Sequence, residues 1–188
     1  KGIDYMRIKP ANVSNPRTAG QVDQRSKFST TLRFLQSMTD FLRVGFKLYA
    51  NKMTQFNAAM SYNLNNAITG TYPNFMIDYA SALVSRGGLT GAANGAVSSS
   101  GGLVEFTWTD NTGSGNAQAT DKALLVVYNP SKDQAIYDNA GAARSVGAQN
   151  LAMPNDFIGD DVEAFIGFIS EDGKEVANSV YIGSVTVA

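Results

Sequence analysis

From Phe28 to Met60 the chain advances in alternating steps of four and three. Phe28, Leu32, Leu35, Thr39, Leu42, Phe46, Tyr49, Met53, Phe56 and Met60 fall on one heptad-like stripe. That spacing lays a continuous seam along an α-helix and leaves a strand nowhere to hide it. After Thr69-Gly70-Thr71-Tyr72-Pro73 the stripe stops, and short β-rich runs take over, split by Gly, Asn, Asp and Ser. A helical first part followed by a β-rich second part is the organisation this contrast dictates.

A single helix from Gln21 to Ala67 would be about 70 Å long at 1.5 Å per residue, beyond what globular domains normally hold. A break is therefore expected at Gly45 or near Ala50-Asn51, giving one helix near 20–44 and a second near 52–67. Ser14, Asn15 and Thr18 are candidate N-caps, and Pro16 suits a first turn. Phe34, Phe41 and Leu48 add apolar surface beside the stripe. Such a stripe packs either on the rest of its own chain or on a second copy. Ahead of the helices, residues 1–10 mix Ile3, Tyr5 and Ile8 with Asp4, Arg7 and Lys9 and close at Pro10, a short extended arm or edge strand.

In the second part, residues 75–86 read as a strand and the Gly/Ala/Ser/Asn-rich residues 90–101 as a loop. Leu103 to Thr109 alternates, with Val104, Phe106 and Trp108 on the inward face. Lys122 to Asn129 is the most apolar run and belongs at the centre of a sheet. Gln134 to Tyr137 and Ala142 to Leu151 are shorter strands. Asp161 to Ser170 carries apolar residues on both faces. Glu171-Asp172-Gly173-Lys174 is a hairpin turn, from which Val176 to Val187 returns. About seven short strands with turns at intervals of roughly 8–15 residues describe an immunoglobulin-like or fibronectin-like sandwich. The expected fold is α+β: an N-terminal arm and helices over residues 1–74, packed against a C-terminal Ig-like antiparallel β-sandwich over residues 75–188.

Composition excludes much chemistry. The 188 residues contain no His and no Cys, so no Ser-His-Asp triad, Cys-His dyad, Cys/His zinc site or disulfide can form. No apolar run approaches the roughly 20 residues of a membrane-spanning helix. In the loop from Asp110 to Asp121, residues Asp110, Thr112, Ser114 and Asp121 fall at positions 1, 3, 5 and 12 of a calcium-loop count. The ligand types are poor, however, and strands flank the loop. Asp160, Asp161 and Glu163 cluster, but nothing beside them supplies a substrate pocket. No phosphate-binding glycine loop is present. Neither catalytic residues nor a cofactor or metal site is expected.

The formal net charge of −1 hides a partition. Residues 1–75 hold ten Lys and Arg against three Asp, a surplus of +7, and residues 76–188 carry −8. The two parts attract each other within one chain, or the basic part meets a polyanion such as nucleic acid, or the basic end of one copy meets the acidic end of the next. The basic residues are dispersed and fit no nucleic-acid motif, which disfavours the second. The third makes Tyr5, Arg7, Lys9, Arg17 and Arg25 on one side, and Asp160, Asp161 and Glu163 on the other, a candidate assembly interface.

Several segments carry a resemblance: Lys1-Gly-Ile-Asp-Tyr-Met-Arg7, Asn15-Pro-Arg-Thr-Ala-Gly-Gln21, Phe56-Asn-Ala-Ala-Met-Ser-Tyr-Asn63 with Ala67-Ile-Thr-Gly70, Tyr128-Asn-Pro130, and Asn178-Ser-Val-Tyr-Ile-Gly183. In these the chain resembles an uncharacterised bacterial family, a domain of unknown function seen mainly in Bacteroides-like Gram-negative bacteria. The resemblance implies a further N-terminal stretch, rich in Gly and Val, ahead of Lys1. It implies no activity.

The functional expectation is a non-enzymatic, self-assembling subunit of an extracellular filament, surface layer or phage-like particle, joined by head-to-tail contacts between copies. The alternative is a cell-surface module that uses the 90–101 and 110–121 loops to bind a glycan or a protein.

Overall fold

The computed structural model describes residues 17–188; the arm expected over residues 1–10 lies outside them. Three helices come first: α1 (Ala19–Gln36), α2 (Thr39–Gly45) and α3 (Gln55–Asn66). A short antiparallel hairpin follows, β1 (Ile68–Thr71) with β2 (Asn74–Ile77). Seven further strands form two antiparallel sheets. One has the order β3-β4-β7 (Ala93–Ser100, Leu103–Thr109, Ala148–Ala152). The other has the order β6-β5-β8-β9 (Gln134–Asp138, Lys122–Asn129, Asp161–Ile169, Val180–Thr186).

The four-stranded sheet is the middle layer of three. Along β5, Ala123, Leu125 and Val127 point at the three-stranded sheet, where Val104, Phe106, Trp108 and Leu151 complete a sandwich core. The alternate residues Leu124, Val126 and Tyr128 point the other way, onto Phe34, Leu35, Met38, Phe41, Leu42 and Phe46 of the helices. Two buried faces explain why β5 and β8 are apolar nearly throughout. Phe34, Phe41 and Phe46 are no more than 1% exposed, each burial contributing about 1.5–3 kcal/mol. The fold is thus α+β, with helices packed against an Ig-like antiparallel sandwich.

Thr18 starts α1 with a capping box: its Oγ1 accepts from the Gln21 N–H, and Gln21 Oε1 accepts from the Thr18 N–H. Thr54 caps α3 in the same manner by accepting from the Asn57 N–H. The helical region breaks once earlier than expected, at Ser37-Met38. There the Ser37 and Thr39 hydroxyls donate to the carbonyls of Phe34 and Gln36, competing with the helix ladder. The break shifts the stripe. Phe28, Tyr49 and Met53 are 39–50% exposed, whereas Phe34 and Phe41, beside the stripe, are buried. Most of the stripe packs on its own chain.

Residues 75–86 are not one strand. Four residues pair as β2 with β1, so this hairpin crosses position 74/75. Asp78 then turns the chain by accepting from the Ala80 N–H and the Ser81 hydroxyl. Side chains take the place of strand partners beyond it: Ser179 Oγ accepts from the N–H groups of Val84 and Ser85, and Asn63 exchanges hydrogen bonds with the backbone of Leu83.

The expected loop 90–101 is mostly strand β3, running antiparallel to β4. Its small residues suit a crowded edge, since a Cβ on Gly95 would lie 2.7 Å from Ile182 of β9. Expected strand 142–151 contains β7 only from Ala148; a 3-10 turn at Arg144–Val146 precedes it. Among the described residues no helix is long and apolar enough to cross a membrane.

Candidate functional site

Of the candidate interface residues, Tyr5, Arg7 and Lys9 lie outside the described residues. Arg17 is exposed just before α1, and Arg25 is exposed on it. The three acids sit at the start of β8, each held by a neighbour other than these arginines. Asp160 pairs with Lys132 and accepts from Asn129 Nδ2 at 2.7 Å. The Lys132 bond, then the Asn129 bond, hold its carboxyl below the usual carboxylate range. Asp161 accepts from the Thr186 hydroxyl, and Glu163 from Tyr181 at 2.6 Å.

Glu163 and Tyr181 border an aromatic seam between helices and sheet. Tyr79 stacks on Tyr181 with ring centroids 6.1 Å apart, and Phe34 meets Tyr128 edge-on at 5.0 Å. Burial, then the charges of Glu163 and Asp133, push Tyr79 up to about 12. Burial first, then the bonds to Asp133 and Glu163, raise Tyr128 and Tyr181 as well.

The other polar concentration lies at one end of the sandwich, where the loop 110–121 meets the turn 170–175. Its foundation is Arg144, fully buried beneath the loop. The Arg144 Nε donates to Asp121 Oδ2 at 3.1 Å, and Nη2 reaches the same oxygen at 3.1 Å. The remaining donors go to the carbonyls of Thr90 and Gly91, and to Asn111 Oδ1 at 2.7 Å. The guanidinium lies 3.8 Å over the Phe168 ring, and Trp108 Nε1 donates to the Arg144 carbonyl at 2.8 Å. Burial pulls the arginine pKa down, while Asp121 works against that shift. One guanidinium therefore ties together the segment before β3, both ends of the 110–121 loop and the sandwich core.

The loop itself is built from turns. Asp110 Oδ1 accepts from the Thr112 N–H at 2.9 Å and from its hydroxyl, an Asx-turn. With Asp110 in that turn and Asp121 on Arg144, the first and last positions of the calcium count have protein partners. No group of three or more carboxylates among the described residues is disposed to hold a metal. Asn116 joins the loop to its neighbours: its Oδ1 accepts from the Thr90 N–H at 2.8 Å and its Nδ2 donates to Glu175 Oε2 at 2.9 Å.

Between this loop and the turn opens a groove of about 670 Å³. Asp121, Glu171, Asp172 and Glu175 contribute four carboxylates to its lining, against the single amine of Lys174. Asp172 is held well below the usual carboxylate range, by Lys174 foremost and by Ser170. Among the described residues, the buried Asp121 Oδ1 has no hydrogen-bond partner. The groove is thus lined largely by polar and acidic side chains, with no aromatic ring among the described residues of its lining. Sequence reasoning passed over Arg144 and read 171–174 only as a turn. One signal was present: Arg144 is the only charged residue between Asp138 and Asp156, in an Ala/Gly-rich stretch where a solvated arginine has no obvious place.

No curated protein matches the chain. Among solved structures, the fn3 domain of the human collagen alpha-1(XX) chain is similar, at 12% identity and a TM-score of 0.40, over 55% of this chain and 90% of that one. Over residues 1–183 the sequence matches a family of unknown function, DUF6266, and the chain belongs to that family.

Proposed function

We propose that the chain acts by binding rather than by catalysis, and that the groove between the 110–121 loop and the 170–175 turn receives a Lys- or Arg-bearing segment of a protein partner. The observation that supports this most is the row of exposed carboxylates, Glu171, Asp172 and Glu175, along the lining of one groove. A cationic side chain supplies donors to such a site, and the Arg144 clamp lowers the ordering cost of receiving it. The absence of His and Cys from the sequence supports the non-enzymatic side of the reading.

A second reading makes the partner another copy. The surplus of +7 in residues 1–75 is the complement of this acidic end, which favours head-to-tail joining into an extracellular filament, surface layer or phage-like particle. A site at the surface of a Bacteroides-like Gram-negative cell goes with either reading, because a chain without thiols suits an oxidising exterior.

Fluorescence anisotropy with a labelled Lys-rich peptide tests the first reading. Binding should weaken steeply with added salt and fall about tenfold or more in Glu171→Lys; absence of binding at low salt contradicts it. Sedimentation of the full chain at low and high salt tests the second, which a monomer under both conditions removes.

A further inference from the structure

A second groove, remote in kind from the acidic one, has the opposite chemistry. It runs along α3 and is about 410 Å³ in volume. Arg86 lies at its wall, held by its backbone, whose N–H donates to the Gly45 carbonyl at 2.8 Å. Its guanidinium lies over two rings, 4.2 Å from the Tyr49 centroid and 5.0 Å from that of Tyr62. Contact with the rings restrains the guanidinium without using its N–H donors. No hydrogen bond or ion pair to the guanidinium occurs among the described residues, in contrast to the fully engaged Arg144. An arginine oriented in this way is prepared for in-plane, bidentate capture of a carboxylate.

The rest of the lining narrows the ligand. Asn65 and Asn66 donate their Nδ2 groups to the carbonyls of Ser61 and Tyr62, at 2.7 Å each. That leaves both Oδ1 atoms without a hydrogen bond among the described residues, on two residues that line the groove. Ser61 adds an exposed hydroxyl, and the Tyr49 ring, 39% exposed, adds an apolar face. A ligand matching all of these carries one carboxylate, several hydroxyl donors and a flat apolar face.

We propose that Arg86, Tyr49 and Tyr62 form a binding site for an acidic sugar of the hexuronate class. The carboxylate lies edge-on to Arg86, and the ring hydroxyls donate to Asn65 and Asn66. This site is independent of the loop-end groove.

NMR titration of the full chain with glucuronate, glucose and inorganic phosphate tests it. Saturable shifts of the Arg86 Nε–H and the two tyrosine rings are expected with glucuronate, at an affinity about tenfold or more above glucose and phosphate. Arg86→Gln should weaken glucuronate binding by about the same factor. Ser61→Glu, on the exposed side of α3, should weaken it as well by placing a competing carboxylate beside Arg86 while leaving the melting temperature unchanged. Glu171→Lys should leave it intact. Absence of saturable shifts, equal binding of glucose, equal binding of phosphate, or undiminished binding in a folded Ser61→Glu variant each overturns the proposal.

Discussion

The Arg144 guanidinium and the Asp121 carboxylate meet at 3.1 Å with side chains 0% and 1% exposed, bridging positions 23 residues apart in the chain. A charge pair removed from water this completely is costly to break from one side, because the remaining charge has no substitute partner. Arg144→Met should therefore destabilise the chain by about 3–5 kcal/mol, measured by urea unfolding. Adding Asp121→Leu to it should recover part of that loss, since the double variant leaves neither charge alone. A single substitution within about 0.5 kcal/mol of the parent would show that the pair does not hold the loop.

Asn63 performs the corresponding task between α3 and the connector that follows β2. Its Nδ2 donates to the carbonyls of Ala59 and Leu83, and its Oδ1 accepts from the Leu83 N–H at 3.0 Å. Asn63→Ala removes the amide and leaves the Leu83 backbone groups unpaired. The expected cost is about 1–3 kcal/mol by thermal or urea unfolding. A neutral result would mean that the connector is not anchored there.

The end of α2 meets the same connector through Gly45, where an added Cβ would stand 2.5 Å from the Val84 carbonyl oxygen. Gly45→Ala must push this contact apart and should lower stability by about 1–3 kcal/mol. Gly20 in α1 has nothing among the described residues within 4 Å of the same atom. Gly20→Ala should be neutral or raise stability by up to about 1 kcal/mol through helix propensity. Comparing the two melting temperatures separates close approach from a general effect of losing glycine.

The aromatic seam sets an alkaline limit. Tyr79, Tyr128 and Tyr181 all have raised pKa values, Tyr79 at about 12. An unfolded tyrosine ionises near pH 10. Above that pH the unfolded chain has lost protons that the folded chain still holds, so unfolding releases them and stability falls. The stabilising contribution is complete below pH 10 and disappears as pH rises toward 12. Phenolate absorbance should show these three of the eight tyrosines ionising only with unfolding, and Tyr181→Phe should soften the loss. Full titration of all eight near pH 10 in a folded chain would contradict this.

Much of the sandwich was legible from the sequence. The alternation of Val104, Phe106 and Trp108 and the apolar run of β5 name the core directly, because a buried sheet face leaves a period of two. What β5 and β8 did not reveal is which face of the sandwich the expected helices cover. A run that is apolar on both sides fits equally well between two sheets or between sheet and helices. Strand β3 was hidden for another reason: Ala, Gly and Ser carry no hydrophobic period, and only Ile182 across the edge explains why small residues are needed there. The Arg144 clamp joins residues 90, 91, 111, 121 and 144, which come together only once both sheets are in place. For Asp160, Asp161 and Glu163 the clustering was visible, but the partners Lys132, Thr186 and Tyr181 depend on register.

Mapping a Lys-rich peptide onto the full chain by backbone NMR at low salt tests most directly whether the acidic loop end is a receiving surface. Saturable shifts concentrated in residues 116–121 and 170–175, reversed by salt and lost in Glu171→Lys, are expected. Shifts confined to other surfaces, or none at millimolar peptide, would contradict it.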